Sequence, residues 1–227
     1  MFLWHGSEII LPNPAFGKGK PYNDYGIGFY CTENRDIAME WAAQRDHDGY
    51  ANRYELNEQE LSVLYLNQEP WCILHWLAVL LENRTFEIRA PLAAEAREYL
   101  LANFIPPYKE FDLIIGYRAD DSYFSFAQDF LNGTISVRQL RNAMHLGRLG
   151  EQVVLKSRKA FEQLQFKDYK IAESKEWYLK RQQRDQTARK CYFDLERNRR
   201  QKGDLYILQV IDEEVKADDP RLRSNLS

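Results

Sequence analysis

The first 45 residues constrain the fold most, because they read as strand, turn-rich loop, strand and helix in that order. Phe2-Leu3-Trp4 is a short apolar start suited to a first strand. Pro12, Pro14, Gly17, Gly19 and Pro21 then mark a loop. Gly26-Ile27-Gly28 leads into Phe29-Tyr30-Cys31, a β-prone triplet. With Thr32 as N-cap, Ile37, Ala38, Trp41 and Ala42 recur at helical spacing and predict a helix from about Asn34 to Arg45.

Downstream, Arg53 to Leu56 and Leu61 to Leu66 read as strands around a turn at Asn57. Helices are predicted at Trp71 to Leu81 and Ala93 to Leu101, and a buried strand at Phe111 to Gly116. Two more helices, Tyr123 to Phe130 and Val137 to Leu146, precede a strand at Val153 to Leu155. The second carries Ser136 as cap and Val137, Leu140 and Met144 on one face. After about Asp168 the character changes. Lys175 to Lys202 holds ten basic and four acidic residues, a local net of +6. Ala188, Cys191, Tyr192 and Leu195 predict a long helix there with a narrow packing stripe. Leu205 to Val215 reads as a short helix and Asp218 to Ser227 as a tail. The division expected is residues 1–168 as the main domain and 169–227 as a helical extension packed on it.

Composition narrows the class. Hydrophobic residues are 44% and charged residues 29%, an ordinary globular mix with enough apolar mass for a sizeable core. A net charge of -3 neither recruits nor excludes nucleic acid. Cys31, Cys72 and Cys191 are odd in number and show no CxxC spacing, which points to a reducing compartment. With His47, His75 and His145 also lacking ligand spacing, no metal site is expected. The longest apolar stretch, Ile73 to Leu81, is broken by His75, and a bilayer span needs about 20 residues. The start shows no basic segment followed by an apolar run, so no signal peptide is expected. These features predict a cytoplasmic, microbial protein with no membrane partner.

Chemistry concentrates in the same opening stretch. A neutral His5 offers one donor and one acceptor, and Gly6 and Ser7 leave backbone groups open to a polar ligand. Gly26 and Gly28 let the backbone approach a ligand, and Tyr30 adds a flat aromatic face. Singly these are weak signals: strand-end histidines are more often structural, and Gly-x-Gly without a third glycine is a poor phosphate loop.

In combination, Leu3-Trp4-His5-Gly6-Ser7, then about 20 residues, then Tyr25-Gly26-Ile27-Gly28-Phe29-Tyr30-Cys31-Thr32, then a helix, resembles the NAD-binding half of diphtheria-toxin-type ADP-ribosyltransferases and poly(ADP-ribose) polymerases. An uncharacterised bacterial family assigned to that superfamily is more similar still. That likeness covers Leu3 to Ser7, Asp24 to Thr32 and Ile37 to Ala42, then runs through Asp112, Gly116 and Ala119-Asp120-Asp121 to Asp218-Asp219-Pro220-Arg221-Leu222. The resemblance implies an α+β fold: split, mostly antiparallel sheets forming an NAD cleft, with inserted helices and a helical C-terminal extension. It implies that His5 bonds a ribose, Gly6 anchors the nicotinamide amide, Tyr30 stacks on the ring and Ser7 binds ribose or amide. The superfamily also places a glutamate at the start of a late strand, where it supports an oxocarbenium-like transition state. Here that strand opens Glu151-Gln152. Polymerase-like alignment favours Glu151, while the bacterial pattern favours Gln152. Strand alternation admits one of them to the cleft.

Asp120 and Asp121 read either as a helix cap or as a ribose or acceptor contact. Asp24 reads as an Asx turn or an NAD contact. The basic helix is either a solvated face or, with Trp177, Tyr178, Tyr192 and Phe193 interleaved, a nucleic-acid or partner surface. The function expected is mono-ADP-ribosyl transfer from NAD, without a metal, to an unknown protein or nucleic-acid acceptor. Toxin or phage-defence action with an antitoxin partner follows from the resemblance alone. The rivals are an NAD glycohydrolase and a non-catalytic module binding NAD, ADP-ribose or nucleic acid.

Overall fold

The computed structural model describes residues 1–119, 121–146 and 149–223. The elements run β1 (Phe2–Ser7), β2 (Phe29–Cys31), α1 (Arg35–Ala42), β3 (Gly49–Leu56), β4 (Val63–Tyr65), α2 (Ile73–Asn83), α3 (Pro91–Phe104) and β5 (Leu113–Tyr117). They continue with α4 (Asp121–Leu131), α5 (Val137–Ala143), β6 (Glu151–Leu155), α6 (Arg158–Glu162), β7 (Leu164–Ala172), α7 (Ser174–Cys191) and α8 (Ile207–Asp212). The fold is α+β with two mostly antiparallel sheets, as expected. One sheet is β1-β3-β7, antiparallel throughout. The other is β2-β6-β5-β4, in which only β4 and β5 run parallel.

Among the described residues a single bridge joins the sheets. The Trp4 amide donates to the Thr32 carbonyl at 2.7 Å, and the Thr32 amide donates to the Trp4 carbonyl at 2.9 Å. Thr32 is therefore not the cap of α1. Asn34 is, its Oδ1 accepting from the Asp36 and Ile37 amides at 2.9 and 3.2 Å. On the other flank, α2 is buried along its whole apolar length, Ile73 to Leu81, as expected of a helix apolar all round. It centres the main core, against α3, α4 and α5.

The sequence pattern misses β7 because the strand is bulged. Arg53 of β3 faces Asp168, whereas its neighbour Tyr54 faces Phe166, so Lys167 is an extra residue. Apolar side chains accordingly switch from positions 164 and 166 to 169 and 171, and the period-2 signal breaks. The boundary at residue 168 falls inside this strand, so the C-terminal region starts after Ala172. That region packs against the rest of the chain. Tyr192, Leu205, Ile207, Val210, Val215 and Leu222 share the core built around α2. The basic helix ends at Cys191 rather than Lys202, and one π-helical turn, Tyr192–Glu196, follows. Trp177 and Ala188 are its buried residues, a narrow stripe. Leu195's side chain, and the tail beyond Arg223, lie outside what the structure describes. Among the described residues no helix is long and apolar enough to cross a membrane.

Candidate functional site

A cleft of about 770 Å³ opens where the two sheets meet. Its walls include His5, Gly6 and Ser7 of β1, Asp24 and Gly28 of the following loop, Tyr30 of β2 and Gln152 of β6. The two opening motifs therefore converge on one cavity although about 20 residues separate them.

β1 supplies the first wall. His5 Nδ1 lies 2.7 Å from the Tyr30 carbonyl oxygen. A carbonyl only accepts, so Nδ1 carries the proton and Nε2 is left as an acceptor. Burial pushes the His5 pKa down, against the opposing pull of that carbonyl, which favours the neutral ring. The ring packs on Phe29 with centroids 4.4 Å apart. Gly6 has a packing reason to be glycine. A Cβ there would overlap the Ala38 carbonyl oxygen and lie 2.8 Å from the Ala42 amide nitrogen, because α1 lies directly on β1. Ser7 Oγ donates to the Ile9 carbonyl at 2.5 Å and accepts from Asn52 Nδ2 at 3.0 Å. Asn52 is fully buried, and its Oδ1 accepts from the Leu11 amide at 2.9 Å. This side chain staples the start of the loop to β3. Sequence reading passed it over, although a polar residue at an inward strand position was a signal.

Tyr30 closes the loop that precedes it. Its hydroxyl donates to the Gly26 carbonyl at 2.6 Å and accepts from the Tyr25 amide at 3.1 Å. Burial pushes the phenol pKa well up, so the hydroxyl keeps its proton. Lys156 Nζ donates to the neighbouring carbonyls of Tyr25 and Ile27, at 2.6 and 2.5 Å. Gly28 permits close approach to β6, since a Cβ would come within 2.6 Å of Val154 Cγ1.

β6 supplies the second wall and decides between its first two residues. Gln152 is 3% exposed and lines the cleft. Glu151, which the polymerase-like alignment favours, faces away. It is exposed and accepts a hydrogen bond from Asn67 Nδ2. The cause is the strict alternation of β6, which pairs Gln152 with Gly116 and Glu151 with Tyr117 without a bulge. Gln152 Nε2 donates to Asp24 Oδ2 at 2.8 Å and more weakly to the Tyr117 carbonyl at 3.3 Å.

Asp24, 6% exposed, is tied to three elements. Besides Gln152, its Oδ2 accepts from the Ala119 amide at 2.9 Å, and its Oδ1 lies 3.3 Å from an Arg84 guanidinium nitrogen. Burial pushes its pKa up, while these hydrogen bonds and the charges of Arg84 and Arg118 pull it back. Asp120 lies outside the described residues, and of Asp121 only its place as the first residue of α4 is described.

The cleft also holds residues the sequence did not single out. Lys18 and Lys20 come from the loop, Arg84 from the end of α2 and Arg118 from the end of β5. The Arg118 guanidinium sits 3.3 Å over the ring of Trp41, which faces the same cleft. Among the described lining residues, four permanent cations stand against one carboxylate, Asp24. Lys18 and Lys20 flank a loop glycine and were legible as loop cations. Arg84 and Arg118 carry no local pattern, because only the tertiary fold brings them here.

No curated protein and no solved structure matches the chain. Residues 1–166 match the model of a family described as proteins of unknown function (DUF3990), and the chain belongs to that family.

Proposed function

We propose that the chain is an NAD-dependent mono-ADP-ribosyltransferase whose split sheets form an ADP-ribosyltransferase-like dinucleotide cleft. The observation that carries this reading is the convergence of His5, Tyr30 and Gln152 on one cavity that also gathers Lys18, Lys20, Arg84 and Arg118. A dinucleotide needs an aromatic face for a ring, acceptors for ribose hydroxyls and cations for a diphosphate. The cavity volume falls within the usual range for small-molecule sites.

In the proposed reaction the bond between nicotinamide and ribose C1′ breaks, and its electron pair leaves with nicotinamide. A nucleophile on the acceptor forms the new bond to C1′ and gives up its proton. Tyr30 would bear on the departing ring. His5 Nε2 would accept from a ribose hydroxyl, and the fixed polar groups of the wall around Gln152 would face the sugar as positive charge develops on it.

The test is nicotinamide release from NAD, alone and with cell extract, by wild type and by His5→Ala. Label from the adenylate part of NAD on a macromolecule, lost in His5→Ala, is the expected result. Free labelled ADP-ribose with no labelled macromolecule would replace the transferase reading with NAD hydrolysis. A second reading, a module that binds NAD without turning it over, is favoured by one observation: the β6 residue inside the cleft carries an amide, not a carboxylate. Saturable NAD binding with no nicotinamide release in either condition would select it.

A further inference from the structure

We propose that Asp24 and Gln152 act as one unit, in which Asp24 holds the Gln152 amide by its nitrogen so that Gln152 Oε1 and His5 Nε2 form a pair of acceptors for ribose hydroxyls. The ligand part of this proposal rests on the nucleotide reading above.

The amide orientation follows from the chemistry of its partners. The Tyr117 carbonyl can only accept, and Asp24 Oδ2 already accepts from the Ala119 amide, so the end of Gln152 that meets both is the NH₂ group. Oε1 has no hydrogen-bond partner among the described residues, and the side chain lines the cleft. His5 reaches the same state from the other wall. Its Nδ1–H is spent on the Tyr30 carbonyl, and Nε2 is left as acceptor. Two acceptors on opposite walls match a ligand that offers hydroxyl hydrogens.

The pair also divides a task. Gln152 makes the contact while the acidic group of the pair stays on Asp24, held by the Ala119 amide and Arg84. A glutamate at position 152 would set a second carboxylate against Asp24 Oδ2, across a gap that an N–H···O bond now spans in 2.8 Å. Two carboxylates so close cannot both stay ionised. The glutamine is thus matched to Asp24, and acid at this strand position is tolerated only if the loop residue becomes an amide. Asp24 is a positioning residue here, and Gln152 is the group that touches the ligand.

The experiment compares wild type, Asp24→Asn, Gln152→Glu and the exchange variant carrying both. For each, nicotinamide release from NAD, NAD affinity by calorimetry and the melting temperature are measured. Each single substitution is expected to lower release by about tenfold or more, and the exchange to regain most of it, a coupling of the size found for contacting residues. In Asp24→Asn the loss falls on the release rate more than on NAD affinity, because the freed amide can turn over. Gln152→Glu at or above the wild-type rate overturns the proposal, as does an exchange variant no better than the worse single variant. If wild type neither binds NAD nor releases nicotinamide, the nucleotide reading fails instead. The melting temperatures then still decide on the pair: additive single effects overturn it, and recovery in the exchange variant supports it.

Discussion

The two walls of the cleft are built in different ways. The wall made by β1 and the loop before β2 is largely a backbone construction. His5 is set by the Tyr30 carbonyl, Tyr30 by the Gly26 carbonyl and Tyr25 amide, and the loop by Lys156 and Asn52 through further main-chain groups. The wall around Gln152 is a side-chain construction, in which Asp24, Arg84, Arg118 and Gln152 meet from four separated stretches of chain. A wall fixed by main chain tolerates loss of any one contact but not a change in how closely the chain packs. A wall fixed by side chains has the opposite weakness, because each buried polar group depends on a named partner.

The largest effect should come from packing on the first wall. Gly6→Ala forces α1 off β1 and is expected to cost about 3 kcal/mol, as overpacking at a rigid backbone contact does. The midpoint of urea unfolding measures it, and a loss under about 1 kcal/mol would mean the wall yields more easily than its contacts imply.

Acid should weaken the support of the second wall next. His75 sits at the start of α2, whose far end presents Arg84. Its Nδ1 accepts from the Cys72 amide at 3.0 Å, and burial pushes its pKa from 6.5 down to about 4. The folded state thus binds its proton less readily than the unfolded one. Stability is full above pH 6.5 and falls as pH drops toward 4, by about 2 kcal/mol at pH 5 from this residue. His5 is depressed in the same direction and adds to the slope. Urea midpoints at pH 7 and pH 5 should differ less in His75→Gln than in wild type, and equal differences would remove His75 from the account.

Tyr30→Phe keeps the ring and removes two hydrogen bonds, for an expected loss of about 1 kcal/mol. A loss of several kcal/mol in a melt would show that the first wall depends on one side chain after all. The smallest effect belongs to Glu151→Gln. That residue faces away from the cleft, so stability should stay within about 0.5 kcal/mol and nicotinamide release near wild type. A collapse of release would put the essential carboxylate on the wrong face of β6.

The same contrast explains what the sequence revealed. Local order was legible: the strand-loop-strand-helix opening, the buried α2, the Ser136 cap and the placement of His5, Gly6 and Tyr30 on one cavity wall. The first three follow from residues a few positions apart, and the last from the resemblance carried by two motifs. Arg84 and Arg118 were invisible because no spacing records which loop a long cation folds over. The choice between Glu151 and Gln152 turned on which face of β6 meets the cleft, a matter of register against β5 rather than of residue type. β7 escaped because one extra residue, Lys167, erased its alternation.

The bridge between Trp4 and Thr32 has a mechanical meaning. Among the described residues, two hydrogen bonds are the whole strand pairing between the sheets, yet Leu3, Tyr54 and Leu56 of one sheet share a buried core with Phe29, Cys31 and Leu155 of the other. The sheets are thus clamped beside the cleft, and the loop between β1 and β2 leaves one sheet and enters the other next to that clamp. A ligand gripped by both walls would meet sheets already locked together by that core. How far apart the two acceptors stand is then set by the packing of the fold before a ligand arrives.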